Sequence, residues 1–461
     1  MQRVFAVTSL TWKAAFRYRL FWVLSALLLA TVVGLPLFIK DDGSAQGFTQ
    51  ILLTYTLSTI TALLGLSTLW ISCGTLARDI EDCQMQVVAV KPIARWQIWF
   101  GKWLGLMSIN AVLLAMAGGC VYTLMMYRAS RLAPEVQSAL RSEVLVARGS
   151  AREADRTAAI NEETDAALKE RLEKFPVDRV DWKSVRKDIL AKTKASYEIV
   201  PPGYVREWVV DMNSVKQLIQ DKPLQLRIRF NTSDGSTLGT FGGLWQIGNP
   251  TTQQVWRSER MSLAPETFHE FEIPANLVDS EGKLIVSFLN ANEVSLIFPL
   301  AEGFEVLYHE GSFGPNFARG VGIILCWMAV LTTLGLCASS FLSFPVAAFV
   351  TLALLAITFS SGTMANAVTQ GTIADYNAEK GGQGYTPLDE VVIPAFKAAL
   401  AVINLAKDFS PVDSLSTGRM ITWANLAKAF IQMVLLLGGF FAALGISIFT
   451  RRELATAQGT Q

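Results

Sequence analysis

Between Ala77 and Gly105 the sequence reads ARDIEDCQMQVVAVKPIARWQIWFGKWLG, wedged between two long apolar runs. Arg78, Asp79, Glu81 and Asp82 come first, then the uncharged Met85 to Val90, then Lys91, Pro92 and Arg95, and finally Gly101 and Lys102 where the next apolar run opens. Mixed acids and bases of this kind offer ionic and hydrogen-bond pairing with another polar surface. Such a segment cannot sit in lipid, and its four cations place it on the cytoplasmic side. Pro92 disfavours helix in its predecessor and lacks an N–H, so the loop is expected to divide into two short helices, a shape suited to docking on a cytoplasmic partner. A loop that only obeys the orientation rule would carry the same cations.

Other chemistry is sparse. The two histidines, His269 and His309, stand beside Glu270 and Glu310 without the further convergent ligands a metal site needs, and are expected on the surface. No Ser/His/Asp or Cys/His arrangement and no G-x-x-x-x-G-K-[ST] phosphate loop occurs, so neither a catalytic centre nor a cofactor or metal site is expected in this chain. The five cysteines, Cys73, Cys83, Cys120, Cys326 and Cys337, fall in the loop or in apolar runs. The polar middle of the chain is therefore expected to fold without disulfides.

The elements that must position the loop follow from segmentation. At 51% hydrophobic and 17% charged, the 461 residues are too apolar for an ordinary soluble protein and too charged to lie in a membrane throughout. A net charge of +1, with no basic run interleaved with aromatics, argues against nucleic acid. Six apolar runs are long enough to span a bilayer: Leu20 to Ile39, Gln50 to Cys73, Trp103 to Met126, Gly320 to Ser340, Phe344 to Ser361 and Ala429 to Phe449. Val4 to Arg19 has the make-up of a basic amphipathic helix at the lipid surface. In the second run Thr54, Ser58, Thr61, Gly65, Thr68 and Ser72 recur at three or four, a stripe that suits helix packing before any pathway lining. Gly101 and Gly105 form a small-x-x-x-small pair, also suited to helix contact. None of the six apolar cores holds Asp, Glu, Lys, Arg or His, so the energy for any transport is expected to come from elsewhere. Arg451 and Arg452 place the C-terminus inside, as Lys13, Arg17 and Arg19 do the N-terminus.

Composition changes abruptly at Tyr127. From Arg131 to Lys194 the chain is highly charged, and Val136, Leu140, Val144, Ala147, Ala151, Ala154 and Ala158 keep a helical period, predicting one long solvated helix bent at Gly149-Ser150. A second helix from Asp181 to Lys194 would pack back along it. Beyond Pro201 the period becomes two, and Leu224 to Phe230, Phe271 to Ile273, Lys283 to Leu289 and Val294 to Phe298 read as strands of a jelly-roll sandwich. The expected fold class is an α-helical membrane protein of six transmembrane helices with an inserted extracytoplasmic α+β domain, a helical hairpin plus a β-sandwich. Its predicted parts are 1–126, an insert over 127–316 (helical to 200, strands after), and 317–461. The last part contains an external loop at 362–422, the short amphipathic helix Pro394 to Lys407, and a short cytoplasmic tail.

The acidic cluster, the short apolar stretch, Pro92, Arg95 and the Gly101-Lys102 that opens the next helix resemble the second-to-third-helix loop of ABC-2 type transporter permeases. The six-span arrangement, the amphipathic first helix and the short helix before the last span are also similar to that family. The arrangement is similar to that of the permeases grouped with nitrous-oxide-reductase maturation and gliding motility, and the insert at Arg128 to Asn316 departs from compact family members. The resemblance implies that Ala77 to Trp99 inserts into a groove on a separate ABC ATP-binding subunit, which would hold the ATP and Mg. It implies pairing with a second permease copy or a paralogue, in a bacterial cytoplasmic membrane. Membrane lipid and a periplasmic protein or glycan are the other expected partners. A non-transporting anchor that relays ATPase motion to an envelope partner remains the alternative.

Overall fold

The computed structural model describes residues 2–17, 19–38, 45–82, 85, 93–174, 182–219, 222–235, 239–248, 255–300, 302–370, 388–407 and 409–452. Helices α1 (Gln2–Arg17), α2 (Leu20–Phe38), α3 (Ala45–Glu81), α4 (Arg95–Ser130) and α5 (Pro134–Glu143) come first. Strand β1 (Val146–Ala151) and the helix pair α6 (Thr157–Lys174) and α7 (Trp182–Glu198) follow. Eleven further strands are β2 (Ile199–Val200), β3 (Val205–Asp211), β4 (Leu224–Ile228), β5 (Asn231–Thr232), β6 (Phe241–Ile247), β7 (Trp256–Arg257), β8 (Met261–Leu263), β9 (His269–Ile273), β10 (Lys283–Asn290), β11 (Leu296–Ile297) and β12 (Phe304–Ser312). The chain then continues through α8 (Phe313–Ser339), α9 (Phe344–Phe359), α10 (Ser361–Gln370), α11 (Asp389–Lys407), α12 (Pro411–Ser416) and α13 (Trp423–Arg451). Contacts divide the chain into a helical unit, Met1–Val146 with Ser312–Gln461, and a β-rich unit, Ala147–Gly311.

In the helical unit four helices are long and apolar enough to cross a membrane: α3, α4, α8 and α13. Counting each of two bent pairs as one span gives six. The bent pairs, Gln2–Arg17 with Leu20–Leu35 and Phe344–Phe359 with Ser361–Val368, overlap the expected runs Leu20 to Ile39 and Phe344 to Ser361. The second pair turns by 55° between α9 and α10, where Ser360, Ser361 and Gly362 supply the small-residue step at which helices kink. Multi-pass membrane character therefore follows from length and composition. Within the unit α8 is the interior post, its apolar window 61% buried against 22% for α13. Leu57, Ile60 and Leu64 of α3, Leu113 and Ala117 of α4, and Ile324 and Met328 of α8 share one core.

Close approach between these helices depends on glycine at named points. A Cβ on Gly101 would come within 2.7 Å of Val7, and one on Gly105 within 2.6 Å of Thr11, so α1 lies along the start of α4. Trp12 Nε1 donates to Ser108 Oγ at 2.7 Å across the same seam. The expected amphipathic helix thus has one face on protein (Val4, Val7, Thr11 and Ala15) and leaves Phe5, Leu10 and Phe16 exposed.

The long charged helix expected from Arg131, on the period Val136 to Ala158, is corrected: the chain there forms α5, strand β1 and the start of α6, with β1 where Gly149-Ser150 was expected only to bend a helix. Helix α7, in contrast, falls on the second helix expected from Asp181 to Lys194. The helical spacing was carried mostly by alanines, which suit either conformation. The run Val144-Leu145-Val146-Ala147 is buried throughout, and β1, which contains Arg148 and Gly149, is hydrogen-bonded to β12. Gly149 lies so close to Tyr308 and Glu310 that no side chain fits. Helices α6 and α7 do pack on each other, with Arg186 Nη2 2.9 Å from Asp165.

Two larger sheets run in the orders β1-β12-β4-β9 and β3-β10-β6-β7, with β8 also on β6, and a small third runs β2-β11-β5. Leu224, Leu226, Ile228 and Val306 of the first meet Trp208, Val210, Trp245, Ile247 and Val286 of the second in one core. Strands β4, β9, β10 and β11 overlap the expected runs; β1, β3, β6 and β12 were not expected. In β6, Gly242 and Gly243 look like breakers. They are there because Arg260 lies over one, within 2.7 Å of a Cβ, and Phe288 fills the space of the other.

Candidate functional site

The candidate site is the end of the helical unit where α3 stops and α4 starts. Of the residues singled out there, Arg78, Asp79, Glu81 and Asp82 close α3 or follow it, and Arg95, Gly101 and Lys102 lie in the first turns of α4. Lys91, Pro92 and the division of the loop into two short helices lie outside the described residues. The last turn of α8, the first of α9 and the last of α13 converge on the same end.

Helix ends leave carbonyls or N–H groups without partners, and here charged side chains fill that need. Arg95 Nη1 donates to the carbonyls of Phe449 (3.0 Å), Thr450 (2.8 Å) and Arg452 (2.6 Å), capping α13. Arg452 Nη1 in turn donates to Ser340 O at 3.1 Å, beyond the end of α8. Phe344 N, at the start of α9, donates to Glu81 Oε1 at 2.9 Å, a carboxylate at a helix N-terminus. Arg78 lies over the Phe344 ring at 4.4 Å. The short turn Phe341-Leu342-Ser343, which carries no cation itself, thus has two supplied by α3 and by the chain beyond α13.

Lys102 is buried and makes the tightest contact of the group. Its Nζ donates to Asp79 Oδ2 at 2.5 Å and to Thr75 O at 2.8 Å, tying α4 to α3. Beneath this polar layer Leu76, Met85, Ile98, Trp99, Leu106, Leu336 and Phe449 form a separate apolar cluster. Trp99 is 1% exposed, and a Cβ on Gly445 of α13 would lie 3.3 Å from its Nε1. Trp103, one turn on, donates to Thr333 Oγ1 of α8 at 2.9 Å. Sequence reasoning missed both tryptophans, although their spacing of four put them on one face. A displacement applied where α3 meets α4 would therefore reach α8, α9 and α13 through direct contacts. Asp82 differs: it is exposed, and among the described residues its side chain has no partner.

The hydroxyl stripe divides in two. A Cβ on Gly65 would come within 3.3 Å of Leu331, Thr68 Oγ1 donates to Asn110 Oδ1 at 3.0 Å, and Ser72 leaves no room for a Cβ on Gly335, so this half packs on α4 and α8. Thr54 and Thr61 are half-buried and Ser58 is exposed. Among the described residues no group of three or more His, Cys, Asp or Glu is placed to hold a metal. His269 and Glu270 diverge because strand neighbours point to opposite faces: His269 accepts from Thr267 or donates to Ala264 O, while Glu270 pairs with Arg148 and Arg227.

No protein-family model, curated protein or solved structure matches the chain.

Proposed function

We propose that the chain is the membrane-spanning permease subunit of an ATP-binding cassette transporter, working with a separate ATPase in a bacterial cytoplasmic membrane. The observation that carries this reading is the network at the α3–α4 end, where Lys102, Arg95, Glu81 and Arg452 link the ends of α3, α4, α8, α9 and α13. An ATPase pressing on the loop between α3 and α4 would move these five helices together. A second permease copy would complete the transport path, and the β-sandwich insert would face outward to receive substrate or a partner.

A second reading, a relay without transport, is favoured by the interior of the single copy, where Leu57, Ile60, Leu64, Leu113 and Ile324 are packed in one apolar core. In that case the same network would carry ATPase motion to the external domain and an envelope partner.

Because Glu81 and Arg95 serve the fold, exchanging their charges would disturb the helix ends whether or not a partner exists. The cleaner test reverses the charge at the exposed Asp82 (Asp82→Lys), then probes detergent-solubilised membranes for a co-purifying nucleotide-binding polypeptide. The proposal predicts that one co-purifies with wild type and is lost from the variant at unchanged melting temperature, since charge reversal breaks an electrostatically matched dock. If wild type captures none, both ATP-driven readings fall.

A further inference from the structure

The β-rich unit holds a cavity of about 230 Å³ bounded by the segment Arg152–Thr157, by Arg206 and Trp208 of β3, by Phe298–Leu300 and by Phe304 of β12. Strand alternation makes one of its walls anomalous. In β3, Arg206, Trp208 and Val210 share the inward face, and the last two are buried in the core, so a cation occupies a core-facing position. Its guanidinium stacks on Trp208 at 4.8 Å, and its Nη1 is shielded from solvent with no hydrogen-bond partner. Among the described residues no carboxylate forms an ion pair with it.

The neighbouring charges are already engaged. Arg152 pairs with Glu305 at 3.1 Å and Arg156 with Glu153. Asp155 accepts from Thr157 N at 2.9 Å and from Thr157 Oγ1 at 2.5 Å. Burial holds the Arg206 guanidinium below its ordinary value, the signature of a charge without full compensation. A desolvated cation costs stability unless a partner is supplied; Glu153 and Glu198 attract the guanidinium from a distance and offset its burial only in part, and among the described residues no side chain hydrogen-bonds its Nη1.

We infer that this cavity binds a small oxyanion, a carboxylate or a phosphate ester, on the planar fork of Arg206, the one cation in the lining without an ion-pair partner among the described residues. Guanidinium geometry matches both groups in two-point contact. Phe298 and Phe304 give the ligand body apolar contacts. The volume lies below the roughly 300–1,000 Å³ of drug-sized sites, which limits the ligand to a small molecule or a single side-chain-sized group. This inference does not depend on an ATPase partner.

The test uses the full-length protein in detergent, titrated calorimetrically with benzoate, phenyl phosphate and the uncharged benzamide. Binding of benzoate or phenyl phosphate but not benzamide is expected, and the tighter of the two identifies the natural head group. Arg206→Met should weaken that binding by roughly tenfold or more, the loss of a charge-assisted pair. Arg229→Ala, which removes an ion pair with Glu302 instead, should bind as wild type. Without ligand, Arg206→Met should melt no lower than wild type, because methionine keeps contact with Trp208 and removes the unpaired charge. The inference is overturned if neither anion binds, if benzamide binds equally, or if Arg206→Met keeps wild-type affinity. A lower melting temperature for Arg206→Met also overturns it, since the guanidinium would then be a strut of the fold.

Discussion

Arg95 and Arg206 are both half-buried, yet the fold treats them in opposite ways. Arg95 finds three backbone carbonyls at the end of α13, while Arg206 stacks on an aromatic ring with its inner nitrogen unsatisfied. The first arrangement is that of a joint, in which a charge holds two elements in register. The second is that of a receptor, in which a charge is kept ready for a group that the fold does not provide. The difference teaches that a cation's role is read from its partners rather than from its burial or its place in a charge cluster.

The comparison is broken most forcefully at the joint. Asp79→Leu leaves the buried Lys102 with only the Thr75 carbonyl; Asp79 itself is one-third exposed, so the cost falls below that of a fully buried pair, to about 2–3 kcal/mol, and a clear fall in melting temperature in detergent is expected. Unchanged melting would mean that water already solvates this end. Arg95→Ala removes one nitrogen's donation to three carbonyls and should cost about 2 kcal/mol, with hydrogen exchange rising at the end of α13. Asp82→Lys, by contrast, should change stability by no more than about 0.5 kcal/mol, as for a surface substitution. A cost like that of Arg95→Ala would show Asp82 to be part of the joint.

How much of this was legible in the sequence depends on which force set each feature. The apolar runs were legible because hydrophobicity alone marks them, and α3, α4, α8 and α13 overlap four of the expected spans. The break before Leu20 was legible because the amphipathic Val4 to Arg19 gives way there to an apolar run, while the bend at Ser360-Ser361 was not, since a kink changes no residue's hydropathy. Strand β1 was hidden by alanines at helical spacing, and β6 by two glycines whose purpose is the side chain on the neighbouring strand. At the site, the charged types of Asp79, Glu81, Arg95 and Lys102 stood out. The partners of Glu81 and Arg95 did not, because Phe449, Thr450, Arg452 and Phe344 lie hundreds of residues away and accept or donate through backbone atoms that no side-chain pattern reveals.

The smallest expected effect lies in the β-rich unit. Burial, and then the Lys222 ammonium 3.4 Å from Nδ1, hold His309 below the ordinary imidazole value. The unfolded chain therefore binds the proton more readily. Stability should be fully present above about pH 6.5 and decline slightly as pH falls through the His309 value. Because the ring is largely exposed, the decline should be shallow, and Lys222→Met should make it shallower still. A melting temperature that rises on acidification through this range would contradict the assignment.

The central claim is that the loop between α3 and α4 meets an ATPase, and it is tested most directly by placing a photo-activated cross-linking amino acid at Asp82 in intact membranes. The account predicts one cross-linked product with a nucleotide-binding polypeptide, its yield altered by a non-hydrolysable ATP analogue, and no such product when the same group is placed at exposed Tyr204 in the β-rich unit. Cross-linking from Asp82 only to lipid or to the chain itself would contradict it.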